Sequence, residues 1–209
     1  MPEVIRILLI ENQKLIRIGI ESVIASDPSL AIVAEADNGT DGIRLFKELR
    51  PDVTILGLRM PDSCALDFLD GYFAADPRAR IIILADHAGD TEITKALKKG
   101  ALGYVCKDVD PPELIRAVKT VAKGSKFIPA EIAAVLSEHI GSEELTRSET
   151  RTLQMIVGGM SNKEIAFALD VTENTVKTHV KNIFEKLNVS DRTSAATTAI
   201  KRGMVRVDF

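Results

Sequence analysis

Val53-Thr54-Ile55-Leu56-Gly57-Leu58-Arg59-Met60-Pro61 is a short apolar run stopped by a charged residue and a proline. Val53–Leu58 carries no charge and no strict polar alternation, so a strand built from it expects cover on both faces, as in a buried parallel sheet. Similar runs lie on either side at Val4–Ile10, Leu30–Ala36, Ile81–Ala85 and Gly103–Cys106. Between and after them apolar residues recur at helical spacing. Examples are Leu15, Ile16, Ile20, Val23 and Ile24, then Ile43, Phe46 and Leu49, and finally Leu114, Ile115, Val118 and Val121. Strand followed by helix, five times over, predicts an α/β fold: a doubly wound, five-stranded parallel (βα)5 sheet with helices on both faces.

This pattern fills residues 1–124 of 209. Hydrophobic residues make up 45% and charged residues 27%, the balance of an ordinary globular chain. The longest apolar runs, Ile7–Ile10 and Ile81–Ala85, are too short to cross a bilayer, and no membrane partner is expected. Met1-Pro2-Glu3 lacks the basic start of a signal peptide, so a cytoplasmic location and reduced thiols at Cys64 and Cys106 are expected. The two cysteines have no metal-ligand spacing, and His87, His139 and His179 are scattered. No catalytic set, metal or cofactor is therefore expected, which argues against an enzyme. Residues 1–124 carry a net charge of −3 and residues 144–209 a net +2, so only the C-terminal third has the surplus of cations that suits a polyanion.

Residues 125–143 read as a linker with a short helix, opening after Gly124, containing Pro129, Ile132, Val135, Leu136 and Ile140, and closing on Gly141-Ser142. From Leu145 onward strand signals stop. Thr146-x-x-Glu149 and Ser161-x-x-Glu164 are capping boxes that start two helices separated by Gly158-Gly159. Thr172 caps a longer helix to about Leu187, and a last helix runs from about Asp191 to Lys201. Residues 144–209 are thus expected to form an all-α four-helix unit.

In the longer helix, Val176, Val180, Ile183, Phe184 and Leu187 form the core stripe, and Asn174, Lys177, Thr178, Lys181 and Glu185 lie opposite. A short helix, a tight turn and a longer helix with cations on its free face make a helix-turn-helix. The runs Leu145–Glu149, Gly159–Ala166 and Val171–Val180, with Lys186-Leu187, closely resemble the LuxR-type helix-turn-helix. The resemblance implies sequence-specific binding of double-stranded DNA, generally as a homodimer. It makes Lys177, Thr178 and Lys181 candidates for base-edge readout, because a lysine donates to guanine and a threonine methyl packs on a thymine methyl. Asn162, Lys163, Thr172 and Thr175, near helix N-termini, are candidates for clamping phosphates. His179 is expected to be partly buried and structural. Ala195, Ala196, Ala199 and Ile200 offer a small-residue face of the kind that commonly pairs two copies in this family. RNA polymerase is a further candidate partner, and the rival reading is an adaptor that binds protein alone.

The N-terminal repeats resemble the receiver domain of bacterial response regulators, in Ile5–Ile10, Asp37-Asn38-Gly39, Arg50–Val53, Leu58–Pro61, Gly100–Tyr104 and Lys107. The whole chain then resembles a NarL/FixJ-type response regulator. A working receiver of that kind uses an aspartate ending the third strand as phosphoryl acceptor. Two acids after the first strand help hold Mg²⁺, a hydroxyl follows the fourth strand, and a lysine follows the fifth. Here the matching positions are Glu11-Asn12, Gly57, Ala85 and Lys107, with the switch-type aromatic Tyr104 retained. The resemblance therefore implies a degenerate, metal-free pocket in which Lys107 pairs with Glu11, and control by something other than aspartyl phosphate. The options are a constitutive dimer, a ligand or partner, or thiol chemistry at Cys106 beside Lys107.

Overall fold

A computed structural model describes residues 4–62, 64–138 and 143–205. Met1-Pro2-Glu3, His139, Ile140 and Gly141-Ser142 lie outside the described residues. The described chain divides into two compact units, one of residues 4–88 and 93–134 and the other of residues 89–92 and 135–205. No helix among the described residues is long and apolar enough to cross a membrane.

The first unit alternates strand and helix as its sequence expects. The strands are β1 (Ile5–Ile10), β2 (Leu30–Ala36), β3 (Val53–Gly57), β4 (Ile81–Ala85) and β5 (Gly103–Cys106). The helices are α1 (Lys14–Ala25), α2 (Gly39–Leu49), α3 (Ala65–Ala75), α4 (Asp90–Lys98) and α5 (Pro111–Ala122), followed by α6 (Ala130–Glu138). The sheet order is β2-β1-β3-β4-β5, and every pairing is parallel. The order reverses between β1 and β3. In open α/β sheets such a switch point leaves a crevice at the carboxyl ends of the strands, where ligands bind. Register sets what reaches that crevice: Ile10 is level with Leu56, Gly57 with Leu84, and Ala85 with Cys106.

The two faces separate by alternation along each strand. Ile7, Leu9, Ile55, Leu84 and Val105 pack with Ile20 and Ile24 of α1 and Leu114, Val118 and Val121 of α5. On the other side Phe46 of α2 and Tyr72 of α3 meet edge to face, with centroids 5.1 Å apart at 78°. Local rules fix the helix starts. The Asn38 side chain accepts from the Asp41 N–H at 2.8 Å, and Pro111-Pro112 open α5, where missing N–H groups cost nothing.

The second unit holds α7 (Arg147–Val157), α8 (Asn162–Leu169), α9 (Glu173–Leu187) and α10 (Arg192–Lys201). Both expected capping boxes form, through Thr146 with Glu149 and Ser161 with Glu164. Gly159 turns the chain between α7 and α8 at φ 80°, a region open to glycine. Leu153, Ile156, Ile165, Val176, Ile183 and Leu187 form the core, joined by Ala195 and Ala199. That corrects one expectation. Ala195 and Ala199 are fully buried in their own unit, because α10 packs on α7 and α9, so they offer no surface to a second copy. Of that face only Ile200 is exposed and Ala196 half-buried.

Candidate functional site

The carboxyl ends of the strands bring Glu11, Gly57, Ala85 and Lys107 to one place. Glu11 follows β1 and is fully buried, while Asn12 beside it is exposed. Glu11 Oε1 accepts from the Gln13 backbone N–H at 2.8 Å and from Lys107 Nζ at 3.3 Å. Oε2 lies 3.3 Å from the same ammonium as a charge contact but makes no hydrogen bond. Lys107 reaches the pocket because its backbone N–H closes the β5 end onto the Ala85 carbonyl at 2.8 Å. Its ammonium also contacts Asp86 Oδ1 at 3.1 Å. Sequence reasoning missed Asp86 as a member of this cluster.

Gly57 ends β3 beside this cluster. A Cβ there would sit 2.6 Å from Glu11 Oε2, 3.1 Å from Met60 Cε and 3.3 Å from the Ile10 carbonyl. The Glu11 carboxylate thus fills the space into which a side chain at position 57 would project. Tyr104 is fully buried within β5, its hydroxyl 3.4 Å from the His87 carbonyl. Two further acids are turn residues, and Asp52 precedes β3, at the end of the sheet opposite this pocket. Asp52 accepts from the Arg6 N–H at 2.8 Å, and Asp62 accepts from Gly39 and Thr40 at the start of α2. Partial burial pushes the Asp62 carboxyl up, but those bonds outweigh it and hold it below the usual range. At Cys106, burial pushes the thiol up to about 11, and Asp108, Glu131 and Asp86 push the same way. The lowering expected from Lys107 is overridden, since that ammonium is spent on Glu11 and Asp86. A thiol so rarely ionised is a poor redox switch.

The second unit presents the free side of α9. Lys177 and Lys181 have side chains 59% and 75% exposed, one turn apart. Thr178 Oγ1 donates to the Asn174 carbonyl at 3.1 Å, so its methyl is the part left for an apolar contact. Thr172 Oγ1 accepts from the Thr175 N–H at 3.1 Å and lies 2.9 Å from its hydroxyl, so both are engaged at the start of α9. Lys163 is exposed at the start of α8. Asn162 is half-buried, and its Oδ1 accepts from Arg192 at 3.3 Å, while Arg192 also donates to the Met160 carbonyl. His179 is half-buried.

Arg192 and the pair Glu149–Lys186 carried no readable role in the sequence, because each joins residues 30 or more apart. Lys186 of α9 lies 2.9 Å from Glu149 Oε2, which also caps α7 through the Thr146 N–H at 2.8 Å. Burial raises the Glu149 carboxyl, but Lys186 and Thr146 outweigh it and hold it at about 2, against an ordinary 4.5. A lowered folded value means stability that is complete above about pH 4.5 and lost as pH falls toward 2. Glu164 and Asp191 shift the same way, so the difference between wild type and Glu149→Gln isolates this pair. We expect Glu149→Gln to lower the stability of this unit by about 1–2 kcal/mol at pH 7. The gap should narrow below about pH 4.5 and nearly close only at about pH 2, as read by urea midpoints across pH.

Comparison with known proteins agrees with this architecture. Residues 7–119 match the response regulator receiver domain, and residues 143–199 match the luxR family of bacterial regulatory proteins. The chain is 33% identical to the transcriptional regulatory protein DegU of Brevibacillus brevis, over 97% of this chain and 96% of that one. It is 34% identical to the nitrate/nitrite response regulator NarL of Escherichia coli strain K12, over 91% and 92%. The solved structure of a complex of the response regulator RcsB with DNA shares the fold, at a TM-score of 0.73 and 22% identity over 95% of this chain and 99% of that one. A receiver fold, a luxR-family unit and full-length likeness to NarL and DegU place the chain among the NarL/LuxR-type response regulators.

Proposed function

We propose that this chain is a sequence-specific, DNA-binding transcription regulator whose receiver-like domain acts without aspartyl phosphorylation, as a constitutive homodimer or under control of a partner or ligand. The domains are residues 1–124, receiver-like; 125–143, linker; and 144–209, DNA reader. The observation that carries the proposal is the packing of Glu11 over Gly57. The β3 end offers no side chain to phosphorylate, and a carboxylate already held by Lys107 takes up the room beside it. This donor set does not fit Mg²⁺. The ion needs near-octahedral oxygen ligands and usually one or two carboxylates. Glu11 is committed to an ammonium and a backbone N–H, and Asp86 to the same ammonium.

The reading of DNA draws on α9. Lys177, Thr178 and Lys181 share its open side, in the helix that enters the major groove in this motif, with Lys163, Asn162, Thr172 and Thr175 at the neighbouring helix starts. The names of DegU and NarL, as a transcriptional regulatory protein and a response regulator, support the same reading. A second reading, a protein-binding adaptor acting on RNA polymerase or another regulator, draws on Phe167 of α8, which is 91% exposed. Selection from a random-sequence duplex pool separates them. The full chain is expected to enrich a defined motif within a few rounds. No enrichment above a protein-free control would favour the adaptor.

A further inference from the structure

We infer that Glu173 and Glu185 hold down the affinity of the DNA reader by competing with DNA for the two lysines that read it. The inference rests on the DNA-reading proposal above. In the free protein each lysine is paired one turn away along α9. Lys177 Nζ is 3.2 Å from Glu173 Oε1, and Lys181 Nζ is 3.7 Å from Glu185 Oε1. The two pairs differ in the expected sense. A glutamate N-terminal to its lysine, as in Glu173–Lys177, is the better arrangement, and Glu173 also lies in the first turn of α9, where the helix dipole favours an anion. Glu185 and both lysines line one open groove along this helix, together with Asn188, Ser190 and Ser194. Glu185 therefore stands where duplex DNA would have to come, and Glu173 holds Lys177 from the first turn of the same helix.

Magnitudes decide what such pairs do. An exposed pair at this spacing is worth about a twofold factor. A correct base contact is worth about 5- to 150-fold, so a matching base pulls each lysine away from its glutamate at little loss. Over a mismatched sequence the lysine gains only a phosphate contact, so release from its glutamate adds no more than the pair's own factor. The pairs thus lower affinity for the matching duplex by their full worth and for random duplex by no more than that, so they temper affinity without adding discrimination.

The test uses the full chain and two probes: the duplex enriched from a random pool by wild type, and the unselected pool. For Glu173→Gln with Glu185→Gln, affinity for the selected duplex is expected to rise about fourfold, with an unchanged slope of log K against log salt. Affinity for the pool is expected to rise by no more than about fourfold. Glu21→Gln with Glu131→Gln, which removes the same charge at exposed positions elsewhere, is the control and should raise neither affinity. No gain on the selected duplex, or a larger gain on the pool than on the selected duplex, would overturn the inference while leaving DNA reading intact. Failure of wild type to retain any duplex would instead overturn the DNA-reading proposal and the inference with it.

Discussion

Lys177→Ala in the full chain lowers affinity for the selected duplex by about 5- to 150-fold and flattens preference at one base position. The size follows from what is lost: a base-edge contact supplies discrimination, whereas an exposed cation elsewhere supplies only attraction to phosphate. Lys163→Ala is the contrast. It lies at the start of α8, so its loss should weaken selected and random duplexes alike and reduce the salt slope by about 0.9. Titration of both variants against both probes over a range of salt checks the pair. Equal behaviour of the two would mean that α9 does not read bases through Lys177. Neither change should alter the fold, since both side chains are exposed and absent from the core around Val176, Ile183 and Leu187.

Glu11→Ala destabilises the receiver-like unit by about 2–4 kcal/mol. Removing one partner of a buried pair strands the other, and Lys107 is only 8% exposed. Asp86 moderates the loss, because it still contacts the ammonium and is itself 47% exposed, so the full cost of an orphaned buried charge is not reached. Gly57→Ala should act in the same direction by a different route. Its methyl would land 2.6 Å from Glu11 Oε2, and this carboxylate has a fixed seat between the Gln13 N–H and Lys107. Urea unfolding followed in the first unit reads both. A Gly57→Ala variant as stable as wild type would show that the carboxylate moves aside freely, and that the pocket is not filled in the sense argued above.

Much of the fold was legible because its signals are local. Val53–Leu58 has the uncharged composition of a strand covered on both faces, and it ends one residue earlier than expected, at Gly57. Val4, expected in β1, is 42% exposed and lies outside it. The capping boxes at Thr146 and Ser161 form from the residues that announce them, since each closes within three residues. The pairing of Lys107 with Glu11, implied by family likeness, is present across 96 residues of chain. What could not be read depends on side chains converging from distant elements. Asp86 joins Lys107, Arg192 holds Asn162, and Lys186 ties α9 to the cap of α7, and no spacing rule links these positions. The α10 alanines misled for a related reason. Small residues suit close packing in either setting, and only the positions of α7 and α9 decide that Ala195 and Ala199 face inward. Cys106 shows the same limit, because its lysine neighbour in sequence turns its charge elsewhere.

Incubation of the full chain with acetyl phosphate and Mg²⁺, followed by titration with the selected duplex and by intact-mass analysis, tests control of this protein most directly. The expected result is a binding curve superimposable on that of the untreated chain and no added phosphoryl mass. A hydroxylamine-sensitive acyl-phosphate in the first unit, accompanied by tighter capture of the duplex, would contradict it.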